Sequence, residues 1–259
     1  ERVALADTAR FARIYRPNNS GATIETEPGA NGYWLVNLHI TARPTLSNQN
    51  TLISFGSGSS SQSDPSTIPT RIVLDRSIVR GRPDLTLRRC VSLQSRETAV
   101  ISSLVLECHE KGADSQGIVG WNGPGPFLIA NNLIEGAGQN VMFGGAHPAI
   151  TGQHPADIVI RDNMIRKPEE WYVSKRWTVK NHLQFKHAQR VLILHNILEN
   201  VWTDGQTGMS IAASSTNQGG GRTTWAETRD ITIFENVFRN TDRGLVLNAV
   251  GSGAAGQAV

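Results

Sequence analysis

One phrase recurs along the chain: a short β-branched run, one or two polar residues, then a second short apolar run. Its polar position falls at Asn37, Arg76, Ser103, Asn132, Asn163, Asn196 and Asn236. Successive positions lie 39, 27, 29, 31, 33 and 40 residues apart, so the phrase is constant while the segments between the phrases vary in length. Self-similarity at a period of roughly 20 to 50 residues is typical of a solenoid.

A second, shorter strand with alternating apolar residues follows the later phrases. Two examples are the pairs Leu183/Phe185 and Leu245/Leu247, whose side chains we expect to face inward. Stretches with helical periodicity are nearly absent. Three short strands per turn with little helix indicate an all-β chain folded as a right-handed parallel β-helix, a single-stranded solenoid of about seven coils.

A β-sandwich is the alternative architecture. Its hairpins should show tight Asn-Gly turns in step with the repeat, whereas Asn31-Gly32 and Asn122-Gly123 do not recur with the phrase. We therefore predict one β-helix domain over residues 1–250 and a flexible tail over 251–259. The chain starts without a secretory signal, which indicates a removed signal segment or a fragment of a longer protein. Residues 1–12, mildly helical, are expected to cap one open end of the solenoid.

Asparagine has two expected uses at the bends between strands. It tolerates left-handed backbone geometry better than most residues do. Stacked asparagine side chains on successive coils can also hydrogen-bond to one another along the solenoid axis. The phrase therefore predicts an asparagine ladder.

Composition excludes some partners and leaves others open. With 25 Lys+Arg against 22 Asp+Glu, the net charge of +3 is too small to indicate a nucleic-acid partner. No apolar run approaches the roughly 18 residues that a membrane span requires. Cys90 and Cys108 are too few for a disulfide framework, which favours two buried free thiols. The sequence does not indicate an oligomeric state.

Several motifs in the middle of the chain have the form found in one known group of proteins. The most distinctive are GWNGPGPF at 120–127, NVMFGG at 140–145 and WTVKN at 177–181. On these motifs, residues 106–240 resemble bacterial β-helix proteins of the pectate-lyase-like superfamily. The resemblance implies a secreted, periplasmic or extracellular protein that acts on or binds a polysaccharide. This chain departs from the group at Gln139 and Gln184, where relatives often carry glutamate.

The resemblance also implies where a polysaccharide would lie. The second strands of successive coils would stack into a sheet that forms the floor of a glycan groove. Its centre is expected to hold Asn140, His182, Gln184 and Lys186, with Trp121 near one edge. The loop that leads into this centre carries Trp171, Arg176, Trp177 and Lys180. Aromatic rings suit stacking on sugars and cations suit pairing with carboxylates.

β-Elimination on a uronic acid requires three functions. The carboxylate must be neutralised, the proton α to it removed and the leaving oxygen protonated. Lys186, Lys180 or His182 is the candidate base, because nearby cations lower the pKa of a lysine. Asn140 and Gln184 are the candidates for binding the carboxyl group, with Trp121, Trp171, Trp177 and Arg176 as further substrate contacts.

Metal ligands are not assigned from the sequence. A calcium site needs several converging carboxylates, and Asp114, Asp204 and Asp242 precede floor strands without lying on the central columns. Ca²⁺ is therefore kept only as an alternative cofactor.

The leading function is an extracellular polysaccharide lyase that cleaves an acidic, uronate-containing polymer. The competing function from another class is a non-catalytic glycan-binding or structural β-helix, so the sequence leaves open whether the protein is an enzyme. A uronan epimerase ranks below both. So does a glycoside hydrolase, because its two carboxyl groups must face each other across the substrate, whereas Glu169 and Glu170 are adjacent on a loop.

Overall fold

The computed structural model of the protein describes residues 2–16 and 20–248. This described part contains 23 β-strands, one α-helix and three 3-10 segments. The first strands in chain order are β1 (Ala12–Ile14), β2 (Ile24–Glu25), β3 (Asn31–Val36), β4 (Leu38–Thr41), β5 (Asn48–Phe55), β6 (Thr70–Asp75), β7 (Ile78–Arg80), β8 (Thr86–Leu93), β9 (Arg96–Ile101), β10 (Leu104–Cys108), β11 (Gln116–Gly120) and β12 (Phe127–Ala130). The others are β13 (Leu133–Gly136), β14 (Gln139–Phe143), β15 (Ala156–Arg161), β16 (Met164–Arg166), β17 (Asn181–Phe185), β18 (Ala188–Leu194), β19 (Ile197–Val201), β20 (Met209–Ser214), β21 (Thr228–Phe234), β22 (Val237–Thr241) and β23 (Arg243–Asn248). Helix α1 spans Glu169–Ser174, and the 3-10 segments span Leu5–Arg10, Ser60–Gln62 and Pro65–Thr67.

The strands form three parallel sheets, to each of which a full coil contributes one strand. The first sheet has the order β1-β4-β7-β10-β13-β16-β19-β22, the second β2-β5-β8-β11-β14-β17-β20-β23, and the third β3-β6-β9-β12-β15-β18-β21. Neighbouring strands pair in parallel in all three sheets. The right-handed parallel β-helix predicted from the repeated phrase is confirmed.

The core runs along the solenoid axis because each inward residue stacks on its equivalent in the next coil. In the second sheet, one such column is Ile53, Val91, Ile118, Val141, Leu183 and Ile211. All of these side chains are fully buried, and burial of each contributes about 1.5–3 kcal/mol. Leu245 and Leu247 continue the inward columns but stay about half exposed, because β23 belongs to the last described coil.

The predicted asparagine ladder is present at the bend that precedes the first-sheet strands. Its members are Ser77, Ser103, Asn132, Asn163, Asn196 and Asn236. The side-chain oxygen of each later member accepts the backbone N–H of the member one coil earlier, at 2.9–3.0 Å. The amides of successive asparagines also bond to each other at 2.9–3.0 Å. The ladder therefore satisfies buried backbone donors that the strands leave free at the corner.

The left-handed backbone geometry was predicted for the ladder asparagines, and this is wrong. Left-handed φ values of 42–58° occur one residue earlier, at Asn37, Arg76, Ser102, Asn131, Asp162, His195 and Glu235. Of the phrase's marked positions, Asn37 and Arg76 are left-handed, and Ser77 rather than Arg76 joins the ladder. The left-handed conformation and the ladder hydrogen bonds therefore belong to different residues: one residue turns the backbone, and the next extends its side chain along the solenoid axis.

Cys90 and Cys108 form a disulfide, so the prediction of two free thiols is wrong. Their Cα atoms are 5.7 Å apart, within the usual range for a disulfide. The bond links the middle of the second sheet's β8 to the end of the first sheet's β10. The two cysteines are 18 positions apart in the sequence. The fold brings them together because β10 lies in the coil after β8, beside the same corner.

The N-terminal segment forms the 3-10 segment Leu5–Arg10, so its helical tendency was predicted correctly but its position was not. Val3 and Phe11 pack against the outer side of the first sheet, on Ile78, Leu104 and Leu106. The segment thus covers a face, where we had expected it to cap an end. The tail predicted at 251–259 lies outside the described residues. No helix in the described ranges is both long and apolar enough to cross a membrane.

Candidate functional site

The outer face of the second sheet, called the floor from here on, carries a row of polar residues. Arg89, Gln116 and Gln139 occupy equivalent positions on β8, β11 and β14. Ser92, Val119, Met142 and Gln184 form the next outward row, three residues further along each strand because of a local irregularity. The floor therefore combines a polar edge with a more apolar strip.

Three glutamines form a chain of amide hydrogen bonds across the centre of the floor. Gln116 Nε2 donates to Gln139 Oε1 at 3.2 Å, and Gln139 Nε2 donates to Gln184 Oε1 at 2.8 Å. All three are buried. Gln184 thus lies on the floor as expected, while Gln139 joins it as a neighbour. Side-chain amides donate and accept hydrogen bonds without titrating. This part of the floor is therefore uncharged, and its side chains are held in place by one another.

A cluster of charged residues lies beside the glutamines, and the sequence did not predict it. Lys180 forms an ion pair with Asp114, on the loop before β11, and Lys186 directly follows β17. Burial acts to raise the pKa of Asp114, but the hydrogen bond and charge of Lys180, with the charge of Lys186, hold that pKa below its ordinary value. Burial lowers the pKa of Lys186; the charge of Lys180 adds to this effect and Asp114 opposes it. The two candidate lysines therefore share one acidic partner.

Asn140 and His182 do not lie on the floor, so the expectation that they face a ligand is wrong. Asn140 Nδ2 donates to the carbonyl oxygens of Ile134 and Arg166, at 2.7 and 2.8 Å. His182 Nε2 donates to the carbonyl oxygen of Glu199 at 2.9 Å. Both side chains are fully buried, and burial lowers the pKa of His182 well below its ordinary value. A neutral imidazole that faces the first sheet has no access to substrate.

The same irregularity explains these two errors. Strict alternation counted back from Met142 places Asn140 outward and Gln139 inward, and counted back from Ser92 it places Arg89 inward. In the structure the alternation shifts by one residue at the corner where the second sheet begins. Gln139 and Arg89 consequently point outward, whereas Asn140 and Cys90 point inward. Arg89 is the floor residue that alternation concealed, and its neighbour Arg88 lies beside it on the floor.

Trp171 and Trp177 anchor the loop over residues 167–180, and their predicted role as sugar platforms is corrected accordingly. They are 2% and 6% exposed and pack in a cluster with Val179, Val201 and Trp202. The ring of Trp177 also stacks on a buried histidine ring at 3.9 Å. Arg176 remains exposed on this loop, above the Trp177 ring at 4.7 Å. The loop thus shapes the side of the floor without presenting its indoles.

Trp121 lies at the edge of the floor, where it was expected. It is 8% exposed, its Nε1 donates to the carbonyl oxygen of Gly58 at 3.0 Å, and the Arg89 guanidinium lies 5.0 Å from its ring centre. Trp121 and Arg89 line a depression of about 520 Å³ together with Asn50 and several serines. Asn50 and Arg88 also line a neighbouring depression of about 450 Å³. The two depressions adjoin at Asn50, and together they are called the groove from here on.

Metal ligation is not evident within the ranges that the structure describes, where no three His, Cys, Asp or Glu side chains gather closely enough to hold an ion. Two aspartates that precede floor strands serve the loops instead. Asp204 accepts the backbone N–H of Val179 at 2.8 Å, and Asp242 accepts that of Thr203. No residue is therefore assigned to a cofactor.

The groove, the lysines Lys180 and Lys186 and the neutral glutamine amides are the features of the floor that bear on function. Comparisons with known proteins add no further constraint. No family model, curated protein or solved structure matches this chain.

Proposed function

We propose that the protein is an extracellular lyase that binds an acidic, uronate-containing polysaccharide along the floor and cleaves it by β-elimination. The observation that carries this proposal is Lys186, a lysine at the floor whose pKa is lowered by burial and by the adjacent Lys180. The motif resemblance to pectate-lyase-like proteins supports the same class of ligand. The Cys90–Cys108 disulfide supports an oxidising compartment, because such bonds are rare in the cytosol.

The proposed reaction uses the neutral amine of Lys186 as the base. It removes the proton α to the uronate carboxyl group, the electron pair forms a carbon–carbon double bond, and the bond from the β-carbon to the glycosidic oxygen breaks. The leaving oxygen then takes its proton from the Lys186 ammonium. Lys180 contributes a fixed positive charge, which opposes protonation of Lys186 and stabilises the charge that develops on the carboxyl group. The amide of Gln184 provides a neutral hydrogen-bonding group beside the carboxyl oxygens.

The test is the ultraviolet absorbance of the unsaturated uronate product on polygalacturonate, alginate, chondroitin and hyaluronan, with and without EDTA. We expect product from at least one polymer, and a loss of about 100-fold or more in rate for Lys186→Gln, the usual effect of removing a general base. Lys111→Gln is the matched control, because this exposed lysine lies on a loop and bonds only to a backbone carbonyl. A Lys186→Gln enzyme that remains fully active overturns the assignment of the base.

A non-catalytic glycan-binding protein is the second candidate, and one specific observation favours it. Gln116, Gln139 and Gln184 occupy the centre of the floor and bond to one another, so these three positions carry no carboxylate for acid–base chemistry, and the neighbouring Asp114 is already paired with Lys180. Binding of a charged polymer without unsaturated product on any member of the panel would support this candidate over the lyase. The EDTA arm shows whether a divalent cation contributes to either outcome.

A further inference from the structure

We propose that Arg88 and Arg89, at the start of β8, form an anion-binding subsite that takes a carboxylate or sulfate group carried by a glycan. This subsite deepens the proposed function and depends on it in one respect, namely that the ligand is a glycan. Arg89 lies three strand positions from the strand that precedes Lys186, which corresponds to about 14 Å. An extended polymer that crosses the strands therefore reaches both the base and the subsite.

Both arginines lack the partners that other arginines of this protein have. Within the described residues, Arg88 makes no hydrogen bond and no ion pair, and its buried Nε has no partner. The Nε of Arg89 is likewise buried without a partner, and its guanidinium donates only to Asn50 Oδ1, at 3.2 Å. By contrast, Arg166 pairs with Glu135 at 2.8 Å on the first sheet. Guanidinium donors without acceptors are costly to bury, so a ligand that supplies acceptors is favoured.

The charges around the pair favour an anion over a neutral group. Burial lowers the pKa of Arg89 to about 10, and the positive charge of Arg88 adds to this effect. The carboxylates that face Arg89 are Asp114 and Glu110; neither lies within ion-pair distance of it, and Asp114 is already paired with Lys180. An anionic group placed between the two guanidiniums would therefore relieve their mutual repulsion.

The shape and chemistry of the adjoining depression suit a sugar ring. Its volume of about 520 Å³ falls in the range of small-molecule sites. Trp121 closes one side, and the hydroxyl groups of Ser57, Ser59 and Ser61 line another, bonded to each other at 2.8–2.9 Å. Hydroxyl groups that are donors and acceptors at once can bond to sugar hydroxyls in either sense. The subsite thus offers a polar pocket for the ring and two cations for its charged substituent.

The experiment measures binding in the Lys186→Gln background, so that cleavage does not consume the polymer. Arg88→Gln, Arg89→Gln and the double variant are titrated with polygalacturonate for carboxylate, dextran sulfate for sulfate and dextran as the neutral probe. Arg161→Gln is the matched control, because Arg161 is a half-exposed arginine on the third sheet that pairs with Asp162. Thermal melting checks the fold, and Arg88→Gln should preserve it because Arg88 bonds to no protein group.

We expect the double variant to bind its preferred charged polymer about tenfold or more weakly, the effect of losing charged hydrogen bonds, with Arg161→Gln unchanged. The preferred polymer then identifies carboxylate or sulfate as the group that is bound. Wild-type-like binding by the double variant overturns the proposal, as does an absence of binding of both charged polymers to the parent. Absence of unsaturated product together with arginine-dependent binding rejects the lyase and leaves the subsite standing.

Discussion

Asn163 lies in the middle of the asparagine ladder, and its side-chain amide takes part in four hydrogen bonds. Its Oδ1 accepts the backbone N–H of Asn132 at 2.9 Å and the Nδ2 of Asn132 at 3.0 Å. Its Nδ2 donates to the carbonyl oxygen of Ile129 and to Oδ1 of Asn196, both at 2.9 Å. All of these groups are buried. An alanine at this position removes the four bonds together and offers nothing in return.

The expected cost follows from the groups that would be left without partners. Asn163→Ala strands the backbone N–H of Asn132 and one hydrogen of its amide, since neither has another partner in the ladder. Each unsatisfied buried polar group costs about 1–3 kcal/mol, so the free energy of unfolding should fall by about 2–6 kcal/mol. That is a large share of the stability of a typical domain, which is roughly 5–15 kcal/mol.

The measurement is the midpoint of urea unfolding, followed by circular dichroism, with the denaturant slope checked for constancy. Asn236→Ala is the matched control, because the same ladder position in the last described coil is only partly buried and water can replace its partners. We expect that control to lose about 1 kcal/mol. If Asn163→Ala loses no more than Asn236→Ala, the ladder does not stabilise the interior of the solenoid in the way we infer.

Three further predictions concern groups outside the groove. Replacing Cys90 and Cys108 together by serine should cost about 3 kcal/mol through loss of the cross-link in the unfolded chain, visible as a lower melting temperature that reductant no longer changes. Lys167→Met should cost about 3–5 kcal/mol in urea unfolding, because the fully buried Nζ of Lys167 lies within hydrogen-bonding distance of four backbone carbonyl oxygens, which would lose this partner. Burial and a neighbouring histidine lower the pKa of His187 to about 3. The stabilising contribution of the neutral imidazole is therefore complete above about pH 6.5 and is lost as the pH falls toward 3. His187→Gln should flatten the dependence of the unfolding free energy on pH over this range.

The solenoid could be predicted from the sequence because the same pattern of inward apolar residues recurs in every coil. Each inward residue of one coil rests on the inward residue of the next, so apolar runs such as those around Val141 and Leu183 recur with the coil. The ladder repeats for the same reason, since Asn132 must meet Asn163 at the same bend. Loop lengths do not disturb either pattern, and this is why spacings of 27 to 40 residues still belonged to one fold.

The residues of the floor were harder to predict, because which side chains of a strand point outward depends on the backbone geometry at the corner before that strand. One extra residue where the second sheet begins exchanges the two faces, as it does for Gln139 and Asn140, and no residue type signals that shift. The aromatic loop posed a different difficulty. Trp171 and Trp177 have the composition of a sugar platform, but whether an indole is buried depends on neighbours such as Val201, which are distant in sequence.

Exceptions on the outer face are therefore more informative about function than the residues that build the coils. Packing against the next coil constrains inward positions, whereas a solvated outer face can carry almost any polar side chain. Arg88 and Arg89 stand adjacent without a bonded carboxylate, and Lys186 is partly buried beside another lysine. The arginine pair leaves donors unpaired, and Lys180 and Lys186 bring two positive charges to the single carboxylate of Asp114. An anionic polymer that lies across the strands would supply acceptors to all three residues, which is why the floor is the surface on which binding should be tested first.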